Sequence, residues 1–172
     1  GKLAAVNEIL QALDGWAPFE TQMDFDNAGF LVGRGDRQVQ KILVALDITL
    51  EVAREAAEAG CQLIVSHHPV IFHPVRTITD GDPTGQILLE LAERGVAAVC
   101  AHTNLDAAQG GVNDCLAQAL GLTQVEQLHQ DGVDREGRPY GIGRVGLVHC
   151  PGLTAGEYAA FVKEKLGAAS VR

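Results

Sequence analysis

Apolar positions in the first part of the chain recur with the period of an α-helix. Leu3, Val6, Leu10 and Leu13 share one helical face, and Gly15 follows them. The spacing predicts an amphipathic helix that ends near Gly15 and is followed by a loop.

Three continuous apolar runs come next, and a segment with helical periodicity follows each of them. Strands without polar alternation are typical of a sheet buried on both faces, and strands that alternate with helices are typical of a parallel sheet. The predicted fold class is therefore α/β, with a mainly parallel sheet flanked by helices. The predicted strands are 41–46, 62–66 and 96–101, and the predicted helices are 50–59, a segment around 87–92 that stops at Gly95, and 112–120.

The last third of the chain is more polar. We expect a loop or hairpin over about 124–146, a short strand at 147–149, and a final helix that begins with a capping box of Thr154 and Glu157. We treat residues 1–172 as a single α/β domain region. Because the sequence stops on the approach to a further strand, we expect the chain to be C-terminally truncated.

Charge and composition narrow the classes of partner. The chain carries 13 basic and 22 acidic residues, a net charge of −9, with no Lys or Arg run to follow a phosphate backbone. This argues against nucleic acid, and no apolar stretch is long enough to span a membrane. Four widely spaced cysteines without a C-x-x-C pair indicate reduced thiols in a cytoplasmic protein; they are Cys61, Cys100, Cys115 and Cys150.

Metal-binding residue types follow two of the predicted strands directly. His67 and His68 come after the strand 62–66, and Asp106 lies five residues beyond the strand 96–101. Ligands of open α/β sheets bind beyond the carboxyl ends of the strands, so these side chains should open into one crevice. We therefore predict a metal site of His67, His68 and Asp106.

The adjacent histidines permit more than one interpretation. Neighbouring residues of a regular strand point to opposite faces, so both can serve one site only where the backbone leaves the strand, as Pro69 allows. Each imidazole would then bind a different ion of a pair, and zinc, iron, manganese and nickel all suit such ligands. Alternatively, one histidine is a hydrogen-bonded core residue and the other a loop residue.

His102 permits three interpretations: a proton carrier behind the ligands, a ligand, or a histidine whose hydrogen bonds are made with loop backbone. We expect it to lie beneath Asp106, apart from the ligand set. Asp47 closes the first predicted strand and is expected to reach the site from behind the ligands, while Asp26 and Asn27 indicate a turn.

A glycine pattern later in the chain matches the dinucleotide fingerprint in letters only. Residues 141–146 read G-x-G-x-x-G, but they follow a polar turn and do not open a helix. We interpret these glycines as serving a turn or a bulge. Asn113 and Asp114 are interpreted as capping residues of the helix 112–120.

In these residues the chain resembles the NGG-interacting-factor-three-like family, also labelled GTP cyclohydrolase I type 2-like. The resemblance runs along nearly all of the chain, and its specificity comes from the order of several short motifs. They are Asp24-Phe-Asp-Asn-Ala-Gly-Phe-Leu-Val-Gly33, Leu46-Asp-Ile-Thr49, Ser66-His-His-Pro-Val-Ile-Phe72, Ala101-His-Thr-Asn-Leu-Asp106, Gly111-Val-Asn-Asp114 and Gly141-Ile-Gly-Arg-Val-Gly146.

The resemblance implies a two-lobed α/β fold, a toroidal homohexamer and two divalent metal ions per complete subunit. On the family pattern His68 and Asp106 hold one ion and His67 the other. A histidine and a bridging glutamate of a C-terminal H-x-x-x-E segment complete both sites, and no such segment follows Leu166 here. We therefore expect this chain to bind metal more weakly than a longer form.

For the function, the resemblance implies a metal-dependent hydrolase of a small molecule, with the cyclohydrolase label pointing to GTP. Nothing in the sequence selects that substrate, since no phosphate-cradling loop or base-stacking aromatic residue is identified. The alternatives are a metal carrier or insertion protein, and a regulatory interaction module. An exchangeable ion without turnover would distinguish the carrier, and no bound metal would distinguish the interaction module.

Overall fold

The computed structural model describes residues 3–149 and 152–172, which form two compact units, 1–105 and 106–172. The first unit begins with β1 (Ala4–Ala5), α1 (Val6–Trp16), a short 3-10 helix (Phe19–Thr21), β2 (Gly29–Val32) and β3 (Gln38–Val39). It continues through β4 (Ile42–Ala45), α2 (Leu50–Glu58), β5 (Leu63–Ser66), α3 (Pro83–Arg94) and β6 (Ala97–Cys100).

The main sheet of this unit has the strand order β2-β6-β5-β4. β4, β5 and β6 are parallel, and β2 adds an antiparallel edge to β6. Ser66 pairs with Ala45 on one side and Cys100 on the other, so the three parallel strands end at one level. The α/β class with a mainly parallel sheet is thus confirmed, and the residues that follow β5 and β6 emerge at the same edge.

The central strand β5 is buried on both faces. Leu63 and Ile64 are successive residues that point to opposite sides, and both are fully buried. Leu63 packs in a cluster with Val6 of α1, whereas Ile64 packs with Leu91 of α3 and Ala53 of α2. Burial of each side chain of this size contributes about 1.5–3 kcal/mol to the free energy of unfolding. The strand that leads into the two histidines is therefore firmly packed.

Several predicted boundaries need correction in this unit. Leu3 precedes α1, which begins at Val6 because Ala4 and Ala5 pair with β3. The segment predicted as a loop contains β2, a short apolar strand that pairs with the distant β6. The other helix ends follow the sequence signals: the Thr49 hydroxyl accepts the Val52 N–H at 3.1 Å, and Gly95 ends α3 with φ of 66°.

The second unit holds the remaining elements. The short helix α4 (Thr103–Ala107) spans the boundary, with its last two residues in this unit. It is followed by α5 (Val112–Ala119), β7 (Thr123–Gln127), β8 (Gly132–Val133), β9 (Pro139–Tyr140), β10 (Arg144–Leu147) and α6 (Ala155–Lys165). β7 pairs antiparallel with β10, and β8 with β9. The short helix α4 was not predicted. The capping box of α6 is confirmed, with the Thr154 hydroxyl accepting the Glu157 N–H and the Glu157 carboxylate accepting the Thr154 N–H.

The glycine-rich stretch 141–146 does not form a dinucleotide loop. Gly143 has φ of 90° and leads into β10, and a Cβ on Gly141 would lie 1.8 Å from the carbonyl oxygen of His129. Both glycines are therefore required by backbone geometry, as the sequence indicated. The Asp114 carboxylate lies in the first turn of α5, as the sequence indicated, and accepts the Gly110 N–H at 2.7 Å. It also binds Arg144 of β10 at 2.5 Å.

Two further sequence expectations concern the cysteines and membranes. Cys61 and Cys100 are buried, Cys115 is exposed, and Cys150 lies outside the described residues. Among the described residues, no helix combines the length and apolar character needed to cross a membrane.

Candidate metal centre

Three imidazoles meet where the parallel strands of the first unit end. His67, His68 and His102 each offer a ligand nitrogen, and these atoms all lie within 4.8 Å of one another. The ring centroids are 5.0 Å apart for His67 and His68, 5.1 Å for His67 and His102, and 5.5 Å for His68 and His102. We call this group the three-histidine cluster.

The backbone leaves strand geometry just where the two adjacent histidines begin. The His67 N–H donates to the Ala45 carbonyl at 3.3 Å, and the His68 N–H donates to the carbonyl of Leu46, the next residue, at 2.9 Å. Successive N–H groups of a regular strand point in opposite directions and cannot both reach the same neighbouring chain. The Ser66 hydroxyl closes the resulting turn by donating to the His68 carbonyl at 2.7 Å. This turn brings both imidazoles to one site.

Each imidazole of the cluster is oriented by an acceptor at Nδ1. Because carbonyl and carboxylate oxygens only accept hydrogen bonds, Nδ1 carries the proton in a neutral ring and Nε2 carries the lone pair. Histidine ligands of metals use this arrangement, with the far nitrogen donating to a carboxylate or a carbonyl. The acceptors are the Ala101 carbonyl at 2.9 Å for His67, the Asp47 carboxylate at 2.8 Å for His68, and the Asp26 carboxylate at 2.8 Å for His102.

Asp26 is the most constrained of these acceptors. Its side chain is 0 % exposed, and it also accepts the Thr103 N–H at 3.0 Å and the Thr103 hydroxyl. Burial alone would raise the pKa of this carboxyl, but the hydrogen bonds from Thr103 and His102 outweigh it and hold the pKa below its ordinary value. Asp26 is therefore ionised and fixes the ring of His102, whose side chain is only 19 % exposed.

Asn27, the residue after Asp26, makes contacts with a second loop. The Asn27 side-chain amide donates to the Ile71 carbonyl at 2.7 Å, and the Asn27 carbonyl lies 3.5 Å from the buried Cys100 sulfur. Residues 26 and 27 thus fix both the loop after β6 and the loop after β5. The turn predicted from their composition is a connection between the two ligand-bearing loops.

Asp47 holds His68 from the solvent side. It follows β4, as expected for a residue behind the ligands, and its side chain is 56 % exposed while that of His68 is 45 % exposed. A hydrogen bond in water-accessible surroundings restrains the ring less than a buried one. With the largest exposure of the three rings, His68 is the most accessible imidazole of the cluster.

The structure groups the predicted residues differently from the sequence. His102 was expected to stand apart from the ligand set, and instead it joins His67 and His68, because the buried Asp26 draws its ring to the crevice. Asp106 belongs to the second unit, where its carbonyl accepts the Asn113 amide at 3.1 Å. Its assignment as a ligand stays a prediction.

The donor set fits a divalent transition metal. Three neutral imidazoles are a common protein shell for catalytic zinc, with a further position open, and they also suit iron, nickel or manganese with added oxygen ligands. In the described part of the chain, this cluster is the group of histidines, cysteines and carboxylates with the spacing required for an ion.

Comparison with known proteins identifies the family. The family model of Duf34/NIF3 (NGG1p interacting factor 3) matches residues 4–172. The chain belongs to the Duf34/NIF3 family. The resemblance recognised from the motifs is thereby confirmed.

Relatives and solved structures extend over the whole chain. A Clostridium perfringens protein named GTP cyclohydrolase 1 type 2 homolog is 36% identical over 167 residues, which are 97% of this chain and 62% of the relative. A Streptomyces coelicolor protein of the same name is 38% identical over 95% of this chain and 56% of its own length. The crystal structure of Staphylococcus aureus protein SA1388 has a TM-score of 0.82 at 28% identity, covering 98% of this chain and 67% of that one. This chain thus spans about 60% of the length of these relatives.

Proposed function

We propose that this protein is a divalent-metal-dependent hydrolase of a small molecule. The observation that carries the proposal is the three-histidine cluster. Every Nδ1 in it faces an oxygen acceptor, which leaves the lone pair of the neutral ring on Nε2, where a metal can bind. An array of three oriented imidazoles at an open strand end is difficult to explain by packing alone, because the His68 side chain is 45 % exposed.

The proposed ligands combine the cluster with the family pattern. His67, His68 and His102 are assigned from the geometry, and Asp106 from the sequence resemblance. The resemblance also implies a second ion per complete subunit, so the proposed centre is dinuclear, with zinc, iron, manganese or nickel as candidates. The metal would supply Lewis acidity, polarising a carbonyl or phosphoryl oxygen of the substrate.

The residues around the cluster supply orientation and charge. Asp26 and Asp47 accept the Nδ1 hydrogen bonds of His102 and His68 and so hold both rings in place, as carboxylates behind metal-binding histidines do. The exposed side of His68 gives a substrate access. GTP, named by the label of the relatives, is one candidate substrate; the residues themselves favour no particular nucleotide.

The test uses the chain, and any longer form that contains it, loaded in turn with zinc, manganese, iron(II) and nickel. Each is assayed against nucleotides, cyclic amides and phosphate esters. We expect hydrolysis that chelation abolishes and that His68→Ala reduces by at least a hundredfold with unchanged circular dichroism. Hydrolysis unaffected by both chelation and the substitution would contradict the proposal.

A carrier function needs the same ligands but predicts a different result. In that case the loaded protein would give up its ion to a competing chelator within minutes and would hydrolyse none of the compounds. An ion retained until unfolding, together with turnover, would favour the hydrolase.

The cellular setting is also proposed from the resemblance. We infer a cytoplasmic homo-oligomer, with the hexameric toroid of the family as the expected assembly. Light scattering on the purified protein measures this directly, and a monomer at all concentrations would contradict it.

A further inference from the structure

Two exposed phenylalanines lie beside the three-histidine cluster. Phe25 is 64% exposed and Phe72 is 40% exposed. Their ring centroids are 6.5 Å apart with an interplanar angle of 61°, and the Phe72 centroid is also 6.5 Å from that of His102 at 85°. The two rings therefore form an edge-to-face pair that continues the surface of the imidazoles.

Both rings are carried by loops that hydrogen bonds hold in place. Phe25 directly precedes Asp26, whose carboxylate binds His102, and Phe72 directly follows Ile71, whose carbonyl accepts the Asn27 amide. The contacts that orient the imidazole of His102 thus also fix the position of the aromatic pair relative to the cluster.

The exposure of this pair contrasts with that of an aromatic pair on α6. Tyr158 and Phe161 stack at 5.8 Å on α6 and are both half-buried, as expected for rings that pack on their own helix. Phe25 and Phe72 instead leave apolar area open to water next to a polar centre, which costs free energy unless a ligand covers it. Phe72 also lines an open cavity of about 380 Å³ with His73 and Thr84, whose lining includes neither Phe25 nor the imidazoles of the cluster.

We propose that Phe25 and Phe72 form an aromatic wall that binds a planar aromatic or heteroaromatic ring of the molecule acted on at the three-histidine cluster. This inference rests on the proposed function and names the substrate class of the same site. Aromatic rings prefer offset-stacked or edge-to-face contacts at centroid separations of about 4.5–7 Å, and a planar ring can make both with this pair. A polar group on that ring then faces the imidazoles.

A matched pair of probes separates ring recognition from metal binding. Benzohydroxamate and cyclohexanecarbohydroxamate carry the same metal-chelating group, but only the first has a planar aromatic ring. Calorimetric titration of the zinc-loaded chain should show benzohydroxamate binding about two- to tenfold more tightly, the range expected for one aromatic contact. Phe72→Leu should remove most of this preference, and Phe25→Leu part of it.

Phe161→Leu is the matched control, because Phe161 stacks on Tyr158 within α6. It should leave the preference for benzohydroxamate unchanged. Equal affinities for the two probes in the zinc-loaded chain, or a preference that survives Phe72→Leu, would overturn the proposal while leaving metal binding established.

Two further outcomes are decisive. If the chain takes up none of zinc, manganese, iron(II) and nickel, the proposed function fails, and the aromatic wall is then tested on the metal-free chain. There, NMR signals of the Phe25 and Phe72 rings should shift with benzohydroxamate and not with its cyclohexane analogue, and no shift would overturn the wall. If Phe25→Ser or Phe72→Ser dissociates an oligomer in sedimentation experiments, the pair is a subunit contact and the proposal is wrong.

Discussion

At the scale of single residues, hydrogen bonds at Nδ1 orient the three imidazoles of the cluster. The sequence supplies six histidines, and three of them acquire ligand geometry only because oxygens from separate segments fix their rings. Asp26 lies 76 residues before His102, so no local pattern connects the two. The buried carboxylate of Asp26 determines the orientation of the His102 ring.

Asp26→Asn tests this role. An asparagine keeps the size of the side chain but replaces the carboxylate that accepts the His102 Nδ1–H, so His102 is held less firmly. We expect zinc affinity to fall by about 10- to 100-fold, the usual effect of removing such a partner, while the fold is retained. Competition with a fluorescent chelator measures the affinity.

Asp131→Asn is the control for this substitution. Asp131 also faces a histidine, His129 at 3.1 Å, but that imidazole is 76 % exposed and lies outside the cluster. It should leave zinc affinity unchanged. Equal effects of the two substitutions would contradict the positioning role of Asp26.

Cysteine reactivity gives a second test at this scale. Burial raises the pKa of the Cys100 thiol to about 11, so its thiolate is scarce at neutral pH. Cys115 is exposed. Iodoacetamide at pH 8 should therefore modify Cys115 well before Cys100 in peptide mass mapping. Faster labelling of Cys100 would show that the loop packed on it opens readily.

At this scale the sequence identified the residue types but not their grouping. His67 and His68 were recognisable because they follow a buried strand, and Asp47 because it closes another. His102 was set apart and Asp26 was interpreted as part of a turn, since the contact between them depends on packing between distant segments.

Secondary-structure elements were predicted best where the signal is local. Thr49 at the start of α2 and Gly95 at the end of α3 both act as their chemistry indicates. β2 was missed because a short apolar strand at a sheet edge is defined by its partner, β6. α4 was missed because its five residues are too few to show a helical period.

The Arg144–Asp114 pair joins β10 to α5 in the second unit. The Arg144 side chain is 7 % exposed, and it also donates to the carbonyls of Ala107 and Ala108. Burial would raise the pKa of the Asp114 carboxyl, but its contacts with Arg144 and the Gly110 N–H lower it overall. The pair therefore stabilises the folded state only while Asp114 is ionised.

Asp114→Asn should consequently reduce stability in a pH-dependent manner. Because the folded pKa is lowered, the stabilisation is fully present above the unfolded value of about 3.9 and disappears as pH falls through the folded pKa. At pH 7 we expect a loss of about 1.5–3 kcal/mol. Urea titrations followed by NMR signals of β7 and β10 measure it, and a loss that persists undiminished at pH 2 would contradict the electrostatic origin.

Glycine substitutions test the backbone of the same unit. Gly141→Ala places a Cβ 1.8 Å from the His129 carbonyl oxygen, so the backbone must shift, and we expect destabilisation of about 1–3 kcal/mol. Gly156→Ala in α6 meets no neighbour and should stabilise the helix by about 0.5–1 kcal/mol. Thermal unfolding of both variants measures the contrast, and equal effects would show that Gly141 is not confined.

At the scale of the whole molecule, the chain contains two compact units and the three-histidine cluster belongs to the first. Fold class and family followed from the order of strands, helices and motifs, because these features are distributed along the chain. The structure adds His102 as a third imidazole beside the two that the sequence indicated, and the weaker metal binding expected of this chain relative to a longer form stays a prediction.

The most direct test of the account is a zinc titration of the chain and three alanine variants. We expect measurable zinc binding by the unsubstituted chain, a loss of affinity of at least tenfold in His68→Ala and in His102→Ala, and no change in His129→Ala. The loss in His102→Ala is the decisive result, since only the structure assigns that imidazole to the site. Equal zinc affinity of His102→Ala and the unsubstituted chain would contradict the three-histidine centre.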